Sequence, residues 1–241
     1  MTKYFASVSE FPGSTGTYYY NKFFQHHNIQ ASYTAFKTID LRDSIQDLVN
    51  KNYSGFSVSM PFKSRIVAYL NELEPNVETY NSCNSVLIRG SILSGFNTDI
   101  YGVRKLAQYL NQNDRIAILG MGNMGKMLMD YLLSLEFNVK VFSRSLNNWE
   151  KRHAQSDIVI NCTNFGTSNS NSPINFLNGT SKVFDLTFNG KELQELSKDI
   201  EYYPGIFFYK EVFLKQFEIY TGINPSSELF DKFTQERVNN Y

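Results

Sequence analysis

The chain has 241 residues, of which 42% are hydrophobic and 15% aromatic, and its 23 basic residues equal its 23 acidic ones. This composition excludes a disordered or collagen-like chain and leaves room for one large domain or two small ones. The net charge of zero also argues against nucleic acid as a partner, because a nucleic-acid-binding surface needs an excess of positive charge.

The two cysteines, Cys83 and Cys162, are too few and too far apart for a disulfide framework or a zinc site. We expect two buried thiols in a reducing compartment, and no bound metal. The N-terminus has no apolar segment typical of a secretory signal, and no apolar run reaches the ~18 residues that span a bilayer. The sequence therefore predicts a cytoplasmic protein without a membrane partner.

The first part of the chain alternates short β-rich runs with helical stretches. Strands are predicted over residues 3–7, 32–39 and 55–60, and helices over 17–27 and 42–50. Two further runs, 85–88 and 92–96, flank Arg89-Gly90-Ser91 and predict a hairpin. Such alternation favours a mostly parallel sheet with helical crossovers.

The alternation restarts after the hairpin and predicts a second, separate α/β unit. Its predicted elements are strands over 115–119, 138–142, 157–161 and 182–185, with a helix that ends near 134. The unit ends near Pro204-Gly205, and helices are predicted over 206–220 and 226–238. The fold class expected from the sequence is therefore α/β, with two α/β domains.

A glycine-rich turn, Gly120-x-Gly122-x-x-Gly125, follows the first strand of the second unit and precedes a helix. In that context the pattern is typical of a dinucleotide site. Gly120 allows the tight turn, Gly122 lets the backbone approach a pyrophosphate, and Gly125 permits close packing of helix on strand. The free N–H groups at the helix start, including Asn123 and Met124, would face the phosphates. The alternative is a glycine turn without a ligand.

The end of the next strand indicates which dinucleotide is bound. An acidic residue there would favour NAD, but the chain has Ser143-Arg144-Ser145, and no carboxylate follows until Glu150. A guanidinium between two hydroxyls suits the 2′-phosphate of NADP. The cofactor predicted is therefore NADP, and the alternative is that Arg144 is an ordinary surface arginine.

Eight segments carry glycines and polar residues in a recognisable order: 14–23, 55–63, 82–85, 95–102, 120–125, 143–145, 157–166 and 205–222. In order and spacing they resemble the shikimate dehydrogenase family, whose patterns include SxSPxxHNxxF, GxNVTxPxK, AVNT, GxNTD, NRT and DxxINxTxxG. The resemblance covers nearly the whole chain. It implies a substrate-binding catalytic domain, 1–101 plus 206–241, a Rossmann NADP-binding domain, 102–205, and a cleft between them.

The resemblance also implies the chemistry, which is hydride transfer between NADP(H) and a ring ketone or hydroxyl. Lys63 and Asp99 would form the acid/base pair, and which of the two transfers the proton stays open. Without the resemblance, Lys63 reads as a surface lysine and Asp99 as the N-cap of a helix that begins near Ile100.

The remaining site residues implied by the resemblance fall into two sets. The substrate-binding residues are Ser14, Ser59 and Asn84. The cofactor-binding residues are Gly120, Gly122, Asn123, Met124, Gly125, Ser143, Arg144, Ser145, Thr163 and Gly205.

The chain departs from the family pattern mainly at substrate positions. The second serine of SxS falls on Gly16, the next proline on Thr17, and the histidine of the same segment on Tyr20. Ser57 and Ser59 stand for the asparagine and threonine of NVT. Two later departures are Phe188 for a tyrosine and Val212 for a glutamine. In the family the two serines and the tyrosine hold the substrate carboxylate, and the glutamine binds a ring hydroxyl.

Three hypotheses follow. The first is an NADP-dependent oxidoreductase of shikimate-dehydrogenase type that acts on a small-molecule cyclic polyol whose substituent differs from the carboxylate of shikimate. The second is a true shikimate dehydrogenase with a drifted pocket. The third is a non-catalytic NADP-binding protein, against which the retention of Lys63 and Asp99 argues. The sequence leaves open whether the protein is a monomer or a homodimer.

Overall fold

The computed structural model describes residues 2–153, 155–164, 177, 179–187, 191–196 and 199–239. It divides the chain into two compact units, one that runs to Thr98 and resumes at Val212, and one from Asp99 to Glu211. The domain boundaries predicted from the sequence, after residues 101 and 205, lie a few residues from these observed boundaries. The observed divides fall at the start of one helix and inside another.

The first unit has six strands: β1 (Lys3–Ser9), β2 (Ala31–Lys37), β3 (Gly55–Val58), β4 (Glu72–Leu73), β5 (Ser85–Arg89) and β6 (Ile92–Phe96). Its helices are α1 (Thr15–His26), α2 (Leu41–Asn50), α3 (Pro75–Tyr80) and, near the C-terminus, part of α7 (Gly205–Thr221) and α8 (Ser227–Asn239). Asp40 starts α2 by accepting hydrogen bonds from two N–H groups of the first turn. The sequence does not predict β4 and α3, because they are too short to show a hydrophobic period.

The strands of the first unit form one mixed sheet in the order β2-β1-β3-β5-β6-β4. β1 runs parallel to β2 and β3, whereas β5 is antiparallel to both β3 and β6. The carboxyl ends of β1, β3 and β6 and the amino end of β5 therefore share one edge of the sheet. The segments that carry Ser14, Ser59, Lys63, Asn84 and Asp99 all begin or end at this edge, which we call the site edge.

Aromatic side chains make up much of the core of the first unit. Tyr19 of α1 stacks on Phe230 of α8 with ring centroids 4.3 Å apart. Tyr20 stacks on Tyr33 of β2 at 4.2 Å, and its ring lies 4.7 Å from that of Phe213 in α7. The aromatic content of the sequence is thus used to join α1 to the two C-terminal helices.

The second unit contains β7 (Arg115–Leu119), β8 (Asn138–Phe142), β9 (Ile158–Asn161), β10 (Lys182–Asp185) and β11 (Glu201–Tyr203). Its helices are α4 (Asp99–Ala107), α5 (Asn123–Ser134), α6 (Lys191–Leu196) and the start of α7. The five strands form a parallel sheet in the order β11-β10-β9-β7-β8. The order reverses direction between β7 and β9, and parallel sheets of this type bind ligands at the carboxyl ends of such a pair.

Both cysteines are free thiols. Cys83 is buried, as expected, whereas Cys162 is only partly buried as a residue, although burial raises the pKa of its thiol group. None of the helices in the described ranges is long and apolar enough to cross a membrane.

Candidate functional site

The backbone around Lys63 is tied to the segment that precedes β5. Lys63 follows β3 and is half-buried, and the N–H of Cys83 donates to its carbonyl oxygen at 2.8 Å. This bond holds the segment of Lys63 beside that of Asn84 at the site edge. The structure therefore brings together the backbones of Lys63 and Cys83, which lie twenty positions apart in the sequence.

The side-chain amide of Asn84 is oriented by three donors. Its Oδ1 accepts hydrogen bonds from Ser85 Oγ at 2.8 Å, from Thr98 N at 2.9 Å and from Thr98 Oγ1 at 3.1 Å. Asn84 is 3% exposed, so the bonds form away from bulk water. Because the carbonyl end is committed to these donors, the NH₂ end is the part of the side chain that offers hydrogen bonds to other groups.

Asp99 directly follows Thr98 and is the first residue of α4, so the helix begins one residue earlier than the sequence predicts. Its side chain is 4% exposed. A carboxylate in the first turn is favoured by the partial positive charge at a helix N-terminus. Asp99 is therefore a buried acidic residue that follows β6 at the site edge.

Ser14 and Ser59 are both exposed residues of the site edge. Ser14 occupies the N-cap position of α1, but its side chain makes no capping bond. Instead its Oγ accepts a hydrogen bond from Arg237 Nη2 of α8 at 3.0 Å. The Arg237 guanidinium also lies 5.2 Å from the centre of the Tyr18 ring. The sequence alone does not point to Arg237, because nothing local links α8 to Ser14.

Two residues that depart from the family pattern, Gly16 and Ser57, both lie next to the buried Tyr33. A Cβ on Gly16 would lie 3.2 Å from Cε1 of Tyr33 and 3.5 Å from its hydroxyl oxygen. The same hydroxyl donates to Ser57 Oγ at 2.8 Å, and Ser57 Oγ is 3.1 Å from the hydroxyl of Tyr220. Burial raises the pKa of both tyrosines, so both stay neutral hydrogen-bonding groups.

The other two substrate departures differ in what the structure describes of them. Phe188 lies outside the described residues. Val212 is buried in α7, and one helical turn later Gln216 is also buried. Gln216 donates from Nε2 to the carbonyl of Asn84 at 3.1 Å and to Ser85 Oγ at 2.8 Å. Gln216 is not among the residues predicted from the sequence, although it lies one helical turn from Val212, where the family has its glutamine.

The glycine-rich turn has a distinct reason for each glycine. Gly120 has a φ of +100°, which an L side chain rarely adopts. A Cβ on Gly125 would lie 2.0 Å from the carbonyl oxygen of Gly120, so only glycine lets α5 pack this closely. At Gly122, in contrast, a Cβ would meet no atom of the described residues within 4 Å. Among those residues the space above Gly122 is open, as close approach of a phosphate requires.

Gly122 is also the N-cap of α5, and as a glycine it has no side chain with which to cap that helix. The first N–H groups of a helix lack partners within it, so those at Asn123 and Met124 are suited to an anion. Together with the open space at Gly122, this donor set fits the pyrophosphate of a dinucleotide.

Thr163 lies next to the glycine-rich turn, at the β7/β9 reversal. A Cβ on Gly120 would lie 2.7 Å from Cγ2 of Thr163. The N–H and hydroxyl of Thr163 donate to Asn161 Oδ1 at 3.1 and 2.7 Å, and Asn161 Nδ2 donates to Asp185 Oδ1 at 3.0 Å. A buried polar network therefore fixes Thr163 beside Gly120.

The loop after β8 has an ordered base and an exposed arginine. The hydroxyls of Ser143 and Ser145 are 2.9 Å apart, and Ser143 N donates to Asn148 Oδ1 at 2.9 Å. Arg144 is exposed, and its guanidinium forms no hydrogen bond or ion pair with any described residue. The shape of the loop thus leaves the charge of Arg144 available to an anion.

Gly205 starts α7 within the second unit. A Cβ there would lie 2.4 Å from the carbonyl oxygen of Thr187, so glycine lets the helix start against the segment that follows β10. This explains a glycine at position 205 by packing alone.

Two family models match the chain. Residues 13–86 match the shikimate dehydrogenase substrate binding domain, and residues 115–201 match the NAD binding domain of 6-phosphogluconate dehydrogenase. The first match covers most of the site edge, and the second starts at β7 and includes the glycine-rich turn.

Curated relatives match almost end to end. The chain is 26% identical to a shikimate dehydrogenase-like protein of Haemophilus influenzae, over 92% of each chain. It is 27% identical to a shikimate dehydrogenase (NADP(+)) of Pyrococcus abyssi, over 91% of this chain and 92% of the relative.

Solved structures show the same fold at lower identity. Shikimate dehydrogenase 1 from Peptoclostridium difficile has a TM-score of 0.85 and 21% identity, over 99% of both chains. A 5-ketofructose reductase of Gluconobacter has a TM-score of 0.76 and 19% identity, over 98% of this chain and 99% of that one. The chain is thus similar, along nearly its whole length, to shikimate dehydrogenase-like proteins, with a match to the substrate binding domain in its first part and a match to a dinucleotide-binding domain in its second, as its motifs predict.

Proposed function

We propose that this protein is an NADP-dependent oxidoreductase of shikimate-dehydrogenase type, which transfers hydride between NADP(H) and a ring hydroxyl or ketone of a cyclic polyol. The observation that carries the proposal is the site edge, where Lys63, Asn84 and Asp99 all follow or precede strands that end together. Within this set, the side chain of Asn84 is oriented by Ser85 and Thr98.

NADP, when bound, supplies the hydride chemistry. The task of the protein at the reacting carbon is to hold the ring and to move one proton at the ring oxygen. In the reductive direction the Lys63 ammonium donates a hydrogen bond to the carbonyl oxygen and stabilises the negative charge that develops there. Asp99 acts with Lys63 as the acid/base pair, and the Asn84 NH₂ group binds the neighbouring hydroxyl oxygen.

The cofactor is held by the second unit in this proposal. The turn from Gly120 to Gly125 and the first N–H groups of α5 bind the pyrophosphate, with Thr163 beside the turn. Arg144 binds the 2′-phosphate together with the hydroxyls of Ser143 and Ser145, which makes NADP the preferred dinucleotide. By the family resemblance, the helix that Gly205 starts, α7, would stand on the nicotinamide side of the cofactor.

The substrate, we propose, is a ring with a substituent other than the carboxylate of shikimate. Gly16 and Phe188 lack the hydroxyls that hold the carboxylate in the family. Of the hydroxyls that hold the carboxylate in the family only that of Ser14 remains; its oxygen accepts a bond from Arg237, and its proton is left to donate. Each missing hydrogen bond to a charged group costs about 1.5–3 kcal/mol, so two of them weaken transition-state binding by roughly 10²–10⁴-fold.

The test is steady-state kinetics of NADP⁺ reduction with shikimate, quinate and a panel of uncharged cyclitols. We expect turnover of at least one cyclitol, and a kcat/KM for shikimate below about 10⁴ M⁻¹s⁻¹, the low end for ordinary enzymes. A higher value for shikimate would restore the plain shikimate dehydrogenase hypothesis. NADP(H) binding without turnover of any ring alcohol would favour the non-catalytic alternative.

A matched pair of variants sharpens the substrate assignment. Gly16→Ser restores the hydroxyl of the family, and the Tyr33 ring needs to shift by only a few tenths of an ångström, since the added Cβ is 3.2 Å from it. We expect kcat/KM for shikimate to rise roughly tenfold or more. Gly13→Ser, in the same segment but with no atom within 4 Å of the added Cβ, is the control and should leave it unchanged.

A further inference from the structure

Two departures from the family pattern in the first unit contact each other. Tyr20 stands at the position of the family histidine, and the amide missing at Val212 recurs at Gln216, about 6 Å further along the axis of α7. The hydroxyl of Tyr20 donates to Gln216 Oε1 at 2.8 Å. Both side chains are buried, at 0% and 4% exposure, so neither depends on water for this partner.

The hydrogen bonds beyond Gln216 have a defined direction. An amide nitrogen can only donate, so Ser85 Oγ must accept the bond from Gln216 Nε2. Ser85 therefore has its own proton left for Asn84 Oδ1, 2.8 Å away. Gln216 Nε2 also donates to the backbone carbonyl of Asn84, at 3.1 Å. Tyr20, Gln216 and Ser85 thus form a chain of donors that ends on Asn84.

We propose that Gln216, oriented by Tyr20 and acting through Ser85, is a positioning residue that keeps the NH₂ group of Asn84 turned toward the substrate. This inference rests on the proposed function, in which that group binds the hydroxyl next to the reacting carbon. An amide rotated by half a turn would present its oxygen instead, and would exchange a donor for an acceptor at the same point. The glutamine shifted by one turn thus acts on the substrate through Asn84 rather than by direct contact.

The kinetic test uses Gln216→Met, which keeps the length of the side chain and removes its hydrogen bonds. We expect kcat/KM for the best cyclitol to fall about threefold to tenfold, as for one or two neutral hydrogen bonds. Ser85→Thr retains the hydroxyl and should keep the rate, whereas Ser85→Ala should match Gln216→Met. In an Asn84→Ala background, Gln216→Met should cause no further loss, because the two residues act as one unit.

A second readout is independent of turnover, so it separates this inference from the proposed function. The side-chain NH₂ of Asn84 is followed by ¹⁵N NMR and assigned by its loss in Asn84→Ala. In Gln216→Met and Tyr20→Phe we expect these signals to shift and their exchange with water to accelerate. Tyr19→Phe is the control, since the hydroxyl of Tyr19 bonds Thr234 of α8, at 2.7 Å, and not Gln216.

The inference is overturned if the Asn84 NH₂ signals are unchanged in Gln216→Met, or if the kinetic loss is the same with and without Asn84. Either result would mean that Gln216 acts only by packing. A role in packing is reported by a lower melting temperature of Gln216→Met. An inactive wild-type protein whose Asn84 signals still respond to Gln216→Met would count against the proposed function and not against the positioning of Asn84.

Discussion

The surroundings of Asn84 and the glycine-rich turn are both preorganised for binding, but by different means: side-chain hydrogen bonds in the first and backbone conformation in the second. Asn84 is fixed by side chains of Ser85, Thr98 and Gln216, all buried. The turn is fixed by backbone geometry, with a φ of +100° at Gly120 and a backbone contact that excludes a side chain at Gly125. One region is a side-chain network and the other is a shaped backbone.

This difference predicts how each region tolerates change. In the side-chain network, loss of one group leaves buried partners without hydrogen bonds, so the damage spreads to its neighbours. In the turn, most substitutions matter only where a new atom collides or covers the phosphate position. Residues of the side-chain network are therefore expected to be substituted together, as at Tyr20 and Gln216. The glycines of the turn are expected to stay unchanged.

The largest expected effect is on the chemistry at the site edge. Lys63→Ala and Asp99→Ala should each lower kcat by about 10²–10⁴-fold, the usual contribution of a positioned acid or base. The double variant should lose little more than the worse single one. Melting temperature and NADPH binding should stay near wild type in all three. Losses that add in log rate would show that the two side chains act separately.

Next in size is the exposed arginine of the cofactor region. Arg144→Ala should raise the KM for NADP⁺ roughly tenfold to a hundredfold, because a hydrogen bond to a charged group is worth ~1.5–3 kcal/mol. The KM for NAD⁺ should change little. Arg89→Ala, at an exposed arginine of the β5–β6 hairpin, is the control. Equal losses for both dinucleotides would mean that Arg144 supports the loop and not the phosphate.

The second and third glycines of the turn, Gly122 and Gly125, should respond differently to substitution. Gly125→Ala places a methyl group 2.0 Å from the Gly120 carbonyl oxygen and should destabilise the unit by about 1–3 kcal/mol. At about 2–4 °C per kcal/mol, thermal unfolding would detect this. Gly122→Ala should leave the melting temperature unchanged and weaken NADPH binding in a titration. A stable Gly125→Ala protein would contradict the close helix–strand packing.

The smallest effect is expected away from both regions, at the Arg115–Asp157 ion pair. The bonds from Arg115 hold the pKa of Asp157 at about 2, below the usual 3.8. Its stabilisation is therefore complete above pH 3.8 and is lost as the pH falls toward 2. Both side chains are partly exposed, so Asp157→Asn should cost only ~0.2–1 kcal/mol at pH 7 in urea unfolding.

The control for this pair is Asp47→Asn, which breaks a more exposed pair with Lys51 and should cost less. The difference between wild type and Asp157→Asn should shrink below pH 3.8. A difference that grows in acid would show that the carboxylate is not the stabilising form.

The same contrast explains what could be predicted from the sequence. β7, β8 and β10 begin and end where their apolar runs do, and Gly120, Gly122 and Gly125 carry the geometry of the turn in adjacent positions. Local sequence records local geometry, so these features are readable without a structure. The roles of the site residues, in contrast, stay predictions that rest on the resemblance.

The hydrogen-bond partners of the site residues could not be predicted from the sequence. Ser14 meets Arg237, and Asn84 meets Gln216, across more than a hundred positions of chain. Such pairs depend on how α7 and α8 pack on the first sheet, and no periodicity reports that. Short elements such as β4 and α3 were missed for a simpler reason, since they contain too few residues to show a pattern.

The first unit resumes only at Val212, after the whole of the second unit. Its aromatic core needs α8, because Phe230 covers Tyr19 of α1. A ribosome releases the chain in order, so the second unit emerges complete while α1 still lacks its cover. The nascent first unit therefore presents a stripe of tyrosine and phenylalanine for most of its synthesis, and this is where we expect chaperones to bind it.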